Sequence, residues 1–416
     1  MRVAVVSYFT PPDPAVASHR VLRLTRALLD AGHEVHWVTL DERRLLRSDD
    51  TLAALIPPQV VRHGLGGPTL ASRPAARNLP EKVLRTLYHH LPRWCALPDK
   101  HVEWALRLRR RLPSLAREQR FDAVFLTCGP HGQLLSLPRL RRAAPGARVL
   151  VDYRDLLSGN PWNQDDDPRV QRRLRARERA MLAHADALFV NSSQALDSFR
   201  ATFDDLALPV SVMRNAADYR LADEIVERFD AAPVPDGVVL GYFGTIFPRR
   251  RLTPVFTALE QLAPALRDSV RVEVYCDAGD SKALLEEDLR RFGPEVTRRV
   301  ARRDYAPYGD ALATMRAMSA LLLINGSAPS DNVFVPGKLF DYVMARRPTL
   351  FVGGDGDARE IVARTSGAAR CFTHEDAAGL AGAIARLAEG AADLEPVDEY
   401  DAAVTFAPLL AALGST

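Results

Sequence analysis

A repeated alternation of short apolar segments with longer, helix-length segments most constrains how this chain can fold. Apolar or alternating runs occur at residues 3–6, 33–39, 123–126, 148–151 and 187–190, and again at 238–243, 271–275, 320–324 and 349–352. Parallel strands need a long crossover between them, whereas antiparallel hairpins need only a short turn. The pattern therefore predicts parallel α/β sheets with helices on both faces.

The length of the chain indicates two such sheets. At 416 residues the chain suits two domains of roughly 200 residues better than one core. We expect two tandem Rossmann-like doubly wound domains facing a cleft, with boundaries at 1–215, 216–396 and 397–416. The last segment is expected to form a helix at 400–413 that crosses back to the first domain. Residues 41–100, interrupted by seven prolines, predict an irregular excursion near the cleft mouth.

The charge is unevenly distributed between the two halves. Residues 1–215 carry 33 basic and 22 acidic residues, a net charge of +11, whereas residues 216–416 carry 22 and 30, a net charge of −8. The basic excess has three interpretations: a solvated arginine-rich surface, a patch for anionic lipid or an anionic acceptor, or a nucleic-acid surface. Nucleic acid is the least favoured, since the sequence has no recognition-helix, RNP or zinc-finger signature.

Cysteine spacing and hydropathy bear on location and cofactors. Cys95, Cys128, Cys276 and Cys371 show no CxxC or Cys/His cluster, so we expect reduced thiols, no metal and a cytoplasmic protein. No run approaches the roughly 20 apolar residues of a membrane span, and the apolar start is too short for a signal peptide. Peripheral contact with the inner face of an anionic membrane stays open.

Polar loops that follow predicted strands of the first domain are candidate binding sites, because ligands of open α/β sheets bind outside the carboxyl ends of the strands. Ser18, His19 and Arg20 lie where the first loop enters a helix, and Ser18 is a candidate helix cap. His131 follows Gly129-Pro130 after the strand at 123–126. Arg154 and Asp155 follow the strand at 148–151, where a structural ion-pair network is nearly as good an interpretation as substrate contact.

Two loops of the second domain combine glycine with basic residues. Gly244 and Thr245 precede Arg249, Arg250 and Arg251, and guanidinium groups suit phosphate oxygens. Residues 332–341 place Pro336-Gly337 before a helix that carries Lys338 and Asp341 one turn apart. Lysine and helix amides can bind phosphate, and a carboxylate can accept two ribose hydroxyls. These loops therefore predict a site for a nucleotide diphosphate.

Residues 335–362 resemble the nucleotide-sugar segment of family 4 glycosyltransferases of the two-Rossmann GT-B type, written P-S/G-K-L-F-E-Y-L-A-x-G-x-P. Five further segments fall in the family's order. They are the opening βαβ at 5–39, CGPH at 128–131, residues 151–162, MRNAAD at 213–218 and LGYFGTIFPRRRL at 240–252.

The resemblance implies roles for individual residues. Asp341 lies where the second Glu of the family's E-x7-E motif holds the ribose, and Arg250 and Lys338 lie where basic residues meet the diphosphate. With His131 they are the expected catalytic residues. The expected donor-binding set is Gly244, Thr245, Arg249, Arg250, Asn332, Val333, Phe334, Gly337, Lys338, Leu339 and Asp341, and the expected acceptor-binding set is Ser18, His19, Arg20, His131, Arg154 and Asp155.

Departures from the family pattern concern the donor sugar. Val333 stands where the motif has its first Glu, so the sugar contact must come from backbone, Asp331 or Asn332. Family glycines appear as Ala15, Ala17 and Ala216. These positions leave the identity of the sugar open.

The resemblance implies a retaining transferase that needs no cofactor and moves a sugar from a nucleotide diphosphate sugar to the hydroxyl of a glycan, lipid-linked or small-molecule acceptor. Such enzymes act in cell-surface polysaccharide, glycolipid or natural-product glycosylation. The alternatives are a nucleotide-sugar epimerase of the same fold and a catalytically silent binding subunit. A NAD-linked dehydrogenase is disfavoured, because neither half has G-x-G-x-x-G. Asp355-Gly356-Asp357 is interpreted as a turn and helix cap.

Overall fold

The computed structural model describes residues 1–73, 97–162, 165–234, 236–390 and 393–414, with single positions 82, 85, 86, 88, 90 and 95. Part of the excursion expected at 41–100 therefore lies outside the described residues. The chain divides into two compact units, one of Met1–Arg214 with Thr405–Thr416 and one of Asn215–Val404.

A parallel sheet forms the centre of the first unit. Among the described residues its strand order is β3-β2-β1-β4-β5-β6-β7. The strands are β1 Arg2–Val6, β2 Glu34–Thr39, β3 Val61–Gly64, β4 Ala123–Cys128, β5 Arg148–Tyr153, β6 Ala187–Val190 and β7 Val210–Val212. The helices are α1 Val16–Asp30, α2 Asp50–Ala54, α3 Val102–Gln119, α4 Leu137–Ala143, α5 Pro168–Leu182 and α6 Ser193–Thr202.

The second unit has a parallel sheet of the same design, with described strands in the order β10-β9-β8-β11-β12-β13. These are β8 Val238–Phe243, β9 Val270–Tyr275, β10 Val300–Arg303, β11 Ala320–Ile324, β12 Thr349–Val352 and β13 Cys371–Phe372. The helices are α7 Tyr219–Arg228, α8 Thr253–Gln261, α9 Pro264–Ser269, α10 Asp280–Leu289, α11 Pro294–Thr297, α12 Tyr308–Ala317, α13 Lys338–Met344, α14 Asp357–Val362 and α15 Ala377–Leu387.

Strand burial follows position in the sheet. Central strands are covered by helices on both faces and therefore need continuous apolar sequence; every residue of β11 is buried. The prediction located these central strands but missed β3, β7, β10 and β13. All four are edge strands, which are short and partly exposed. The two-domain parallel α/β prediction is confirmed.

Strand order reverses between β1 and β4 in the first sheet and between β8 and β11 in the second. At such a switch point the loops leaving the two strands diverge to opposite faces and leave a crevice outside the carboxyl ends of the strands. The loops that follow β1, β4, β8 and β11 are therefore the first places to look for a ligand.

The C-terminal segment differs from the single helix expected at 400–413. It forms two short helices, α16 Ala402–Thr405 and α17 Ala407–Ala412, with buried Phe406 between them. Pro408 explains the break, because proline has no N–H to donate and is tolerated only in the first turn of a helix. From Thr405 onward the segment packs with the first unit, where Arg148 donates a hydrogen bond to the Ala412 carbonyl.

Arg20, at the start of α1, joins four parts of the first unit. Its guanidinium pairs with Asp152 on β5 at 2.6 Å, and the two side chains are 2% and 0% exposed. It also donates to the carbonyls of Arg214, at 2.6 Å, and Met213, at 3.0 Å. The guanidinium carbon lies 5.6 Å from the centre of the Phe406 ring. Arg20 thus holds both chain segments through which the first unit continues into the second.

We expect Arg20→Met to lower the free energy of unfolding of the first unit by about 3–5 kcal/mol, because Asp152 would remain buried without its cation. Urea denaturation followed by circular dichroism measures the change. Replacing both partners, as Arg20→Met with Asp152→Leu, should recover much of the loss. The matched control is Arg111→Met, since Arg111 and Glu118 form an exposed pair and exposed pairs contribute little. Equal stability of the Arg20 and Arg111 variants would contradict the assignment.

Candidate active site

The loop after β8 opens at a position whose backbone conformation favours glycine. Gly244 has φ +112°, a left-handed conformation that other residues avoid, and its N–H donates to the Tyr275 carbonyl at 2.9 Å. A Cβ at this position would lie 3.8 Å from Cδ of Lys338. The neighbouring Thr245 hydroxyl contacts the Tyr305 hydroxyl at 2.9 Å. The loop therefore passes close to Lys338 with little side-chain bulk between them.

Lys338 lies against the same loop. Its ammonium is 3.6 Å from the centre of the Tyr242 ring, a cation–π contact. Burial, and to a smaller extent the charge of Arg250, lower the pKa of Lys338 well below its usual value. Two cations are thus close enough to affect each other at the end of β8. An anion bound there would relieve their repulsion.

The three consecutive arginines of this loop have three different environments. Arg251 is bound to α10, donating to Asp288 at 2.9 Å and to the Leu284 carbonyl at 2.9 Å. Arg249 reaches Asp331, after β11, at 3.2 Å. Arg250 lies over the Phe247 ring at 6.0 Å and is the one that acts electrostatically on Lys338. Among the three, Arg250 best fits the predicted phosphate contact.

Helix α13 is fixed to the switch point by Tyr342. The Tyr342 hydroxyl accepts a hydrogen bond from the Phe243 N–H at 3.0 Å and donates to the Leu322 carbonyl at 3.3 Å. It therefore connects the helix to both β8 and β11. One residue earlier, the buried Asp341 carboxylate accepts from the Tyr308 hydroxyl at 3.3 Å. Asp341 is consequently held near Lys338 on one short helix.

Backbone amides at the start of α13 are less available than expected. The N–H groups of Leu339 and Phe340 donate to the carbonyls of Pro336 and Gly337, at 3.0 and 3.2 Å. Leu339 and Phe334 are buried core side chains, so any contact they make to a ligand is through backbone. The N–H groups of Leu339 and Phe340 are therefore already engaged within the turn, and Lys338 is the basic side chain at this end of the helix.

Asn332 has a structural task. Its amide nitrogen donates to the Gly326 and Ala328 carbonyls at 3.1 and 3.0 Å, and its oxygen accepts from Asn325 at 3.1 Å. The side chain is buried and shapes the loop after β11. Val333, the next residue, is partly buried and has no polar side-chain atom.

The first loop of the first unit differs from its prediction. The residue that precedes α1 is Ala15, with no side-chain cap, so the expected capping by Ser18 is wrong. Ser18 is fully buried, and its hydroxyl has no partner within the described part of the chain. His19 is partly buried, whereas Arg20 is engaged with Asp152 and the chain segments noted above. The geometry favours a structural role for Arg20.

The loops after β4 and β5 are joined to each other. Nε2 of His131 donates to the Asp155 carbonyl at 2.8 Å, which leaves Nδ1 as the acceptor in the neutral ring. Burial is the main cause of a lowered pKa at His131, so the neutral form is favoured. Arg154 donates to the Cys128 carbonyl at 3.1 Å and to the Gly129 carbonyl. His131, Arg154 and Asp155 therefore form one cluster at the carboxyl edge.

Glu178 is a buried acid that sequence reasoning missed, because it lies within the basic helix α5. It accepts hydrogen bonds from the Tyr153 hydroxyl at 3.0 Å and from the Ser158 N–H at 3.1 Å. Burial raises its pKa to about 7. Glu178 therefore supports the strand that leads into Arg154.

The acidic residues Asp355 and Asp357 differ in their exposure to solvent. Asp355 is fully exposed and pairs with Arg359 at 3.6 Å, whereas Asp357 is buried in the first turn of α14. Over the described ranges, no group of three or more His, Cys, Asp or Glu side chains is placed to hold a metal ion.

Comparison with known families identifies the first unit. Residues 17–215, a little under half of the chain, match the model of the glycosyl transferase 4-like domain. The predicted resemblance to family 4 glycosyltransferases, and with it the prediction of a glycosyltransferase, is confirmed by this match. No curated protein matches the chain.

Solved structures share the fold of both units of this chain. The α,α-trehalose-phosphate synthase (UDP-forming) of Burkholderia xenovorans, in complex with glucose-6-phosphate, is 14% identical, with full coverage of both chains and a TM-score of 0.64. HepE of Anabaena, in complex with UDP, is 14% identical, with full coverage of both chains and a TM-score of 0.59.

Sucrose-phosphate synthase of Thermosynechococcus elongatus is 15% identical, and the match covers 93% of this chain and 89% of the synthase chain with a TM-score of 0.56. At such identities the likeness establishes the two-domain Rossmann-like fold. None of the helices in the described part of the chain is long and apolar enough to span a bilayer.

Tyrosines are the main site residues that the sequence analysis overlooked. Tyr242 lies under Lys338, Tyr305 contacts Thr245, Tyr308 contacts Asp341, and Tyr342 fixes α13. Tyr242 and Tyr342 stand inside motifs already quoted, so their position next to Gly244 and Asp341 was a usable signal. Tyr305 and Tyr308 follow the missed edge strand β10 and had no such signal.

We expect binding of a nucleotide diphosphate to be accompanied by proton uptake at Lys338. Burial and the charge of Arg250 lower the pKa of Lys338 in the free protein, whereas a bound diphosphate raises it, so between these two pKa values the free amine is neutral and the bound one is an ammonium. Affinity should therefore fall as the pH rises between these two pKa values. Isothermal calorimetry in buffers of different ionisation enthalpy measures the uptake. Lys338→Met should abolish it and the exposed control Lys282→Met should not; equal uptake by wild type and Lys338→Met would exclude Lys338.

Proposed function

We propose that this chain is a retaining glycosyltransferase that moves a sugar from a nucleotide diphosphate sugar to an acceptor hydroxyl. The observation that supports this most is the convergence of Lys338 and Arg250 beside Gly244, with Asp341 on the same helix as Lys338. That combination offers two cations for a diphosphate and one carboxylate for ribose hydroxyls.

The proposed chemistry needs no side-chain nucleophile. The acceptor oxygen bonds to the anomeric carbon as the bond from that carbon to the β-phosphate oxygen breaks, on the same face of the sugar. The acceptor proton passes to the departing phosphate oxygen. Arg250 and Lys338 stabilise the negative charge that develops on the nucleotide diphosphate. We propose no resident cofactor or metal, since these two side chains can perform that task.

We propose that the first unit binds the acceptor through the loops after β4 and β5. His131 has an acceptor nitrogen in its neutral ring, and Arg154 is held at the same edge. A glycan, lipid-linked or small-molecule hydroxyl compound suits such a polar edge. Synthesis of cell-surface polysaccharide, glycolipid or a glycosylated natural product is the corresponding process.

We expect Lys338→Ala to lower kcat by about 100-fold, because one charge-stabilising contact contributes about 3 kcal/mol to the transition state. Asp341→Asn should raise the Kd of the nucleotide by about tenfold, because one oxygen acceptor becomes a donor. Screening nucleotide sugars with acceptors by mass spectrometry gives the activity, and NMR of the product gives the anomer. Inversion would refute retention.

Two further results would contradict the transferase, one from that screen and one from a thermal-shift assay with nucleotide diphosphates. Epimerisation of the nucleotide sugar without an acceptor would identify an epimerase of the same fold. Absence of a thermal shift with every nucleotide diphosphate would identify a binding subunit without transferase activity.

Exposed arginines on three helices of the first unit suggest contact with an anionic surface. Arg109 and Arg110 lie on α3, Arg139 on α4, and Arg172 and Arg173 on α5, and all are exposed. Clustered basic side chains attract anionic lipid. We propose that this face binds the cytoplasmic membrane peripherally and brings the enzyme to a lipid-linked acceptor.

We expect the protein to float with liposomes that contain anionic lipid and not with neutral ones. Arg172→Gln with Arg173→Gln should reduce flotation, because each basic residue near the surface contributes about 1 kcal/mol. Arg298→Gln, an exposed arginine of the second unit paired with Asp268, is the control. Equal flotation with neutral and anionic liposomes would remove the proposal.

A further inference from the structure

A cavity of about 610 Å³ lies at the carboxyl edge of the second sheet. Its walls come from the loop and helix after β8, from the loop after β11 and from His374 after β13. Arg249, Thr253, Thr257, Ser327, Ser330 and Asp331 line it. The lining is rich in groups that exchange hydrogen bonds with hydroxyls. The wall after β8 leads back to Gly244, and the wall after β11 leads on to Lys338.

The carboxylate of Asp331 is fixed in this wall. One oxygen accepts from the Ala328 N–H at 3.3 Å and the other from Arg249 at 3.2 Å, and the residue is buried. Gly326 lies directly against it, since a Cβ at this position would collide with the carboxylate oxygen. Any larger residue at 326 would displace the carboxylate. The loop is thus built around this acid.

Arg249 is an exchangeable partner for that acid. Its side chain is 66% exposed, whereas that of Asp331 is 5% exposed. An exposed arginine is held only weakly in such a pair, but a buried carboxylate needs hydrogen-bond donors when its partner leaves. Hydroxyl groups of a bound ligand can supply those donors.

The residues next to Asp331 are less suited to accept hydrogen bonds from ligand hydroxyls. The amide of Asn332 is committed to Gly326, Ala328 and Asn325, and Val333 has no polar side-chain atom. Between Gly326 and Lys338, Asp331 is the only acidic residue of the sequence.

We propose that Asp331 determines the choice of donor sugar, and that Arg249 is its exchange partner. Sugar hydroxyls donate to the Asp331 carboxylate and release Arg249, which then turns to the diphosphate. This rests on the proposed transferase function. It places the sugar ring in the cavity beside the diphosphate site.

The test compares UDP with UDP-glucose, UDP-galactose and UDP-N-acetylglucosamine by calorimetry and steady-state kinetics. Asp331→Asn should lower the preference for the best of these sugars on the order of 10- to 100-fold, the effect of losing hydrogen bonds to a charged group. Its Kd for UDP should stay within about 3-fold of wild type or tighten, because Arg249 is released. Arg249→Ala should weaken UDP-sugars more than UDP, because Arg249 turns to the diphosphate only when sugar hydroxyls occupy Asp331. Asp355→Asn, an exposed acid on the same edge, should change neither.

The outcomes separate this inference from the function it rests on. If wild type binds UDP and Asp331→Asn keeps its sugar preference, or loses UDP and UDP-sugar equally, the role of Asp331 is refuted while the transferase stands. If wild type binds neither UDP nor GDP, ADP or dTDP, both proposals fall.

Discussion

The burial of the Lys338 amine, close to the charge of Arg250, is the constraint on which the candidate site of the second unit depends. Both cations lie at the end of β8, and burial has already weakened the hydration of the ammonium. The Tyr242 ring compensates part of this, and Tyr342 prevents α13 from moving away by bonding to β8 and β11 together. The Lys338 amine and the Arg250 guanidinium are therefore held in position before an anion arrives, and the bound anion favours the protonated amine that stabilises a charged transition state.

The two units share the same switch-point geometry, but their basic side chains at the carboxyl edge of the sheet have different environments. In the first unit, arginines at the carboxyl edge are committed internally: Arg20 to Asp152 and Arg154 to the carbonyls of Cys128 and Gly129. In the second unit, Arg250 and Lys338 interact with aromatic rings and with each other's charge. Committed cations make a rigid platform, whereas cations near each other make an anion site. This difference is consistent with an acceptor unit and a donor unit.

Sequence reasoning succeeded where a residue's environment follows from its neighbours along the chain. Central strands are recognisable in sequence as continuous apolar runs. The edge strands β3, β7, β10 and β13 each pair with one neighbouring strand and have no such apolar run. The motif around Lys338 and Asp341 was recognisable for the same local reason. Arg249, Arg250 and Arg251 were indistinguishable in sequence, because what separates them is tertiary: Asp331 lies 82 residues from Arg249 and Asp288 lies 37 residues from Arg251. The pairing of Arg20 with Asp152 was hidden for the same reason, since the two residues are 132 positions apart.

The Arg249–Asp331 pair adds a consequence for catalysis that neither residue would have alone. While the guanidinium neutralises Asp331, it is held back from the diphosphate. Occupation of the carboxylate by sugar hydroxyls releases it toward the phosphate, where negative charge develops during transfer. Binding energy from the sugar is thereby converted into stabilisation of the leaving group, an interaction that grows in the transition state rather than in the ground state. A nucleotide without its sugar would not release Arg249, so the full set of cations would assemble only around a complete donor.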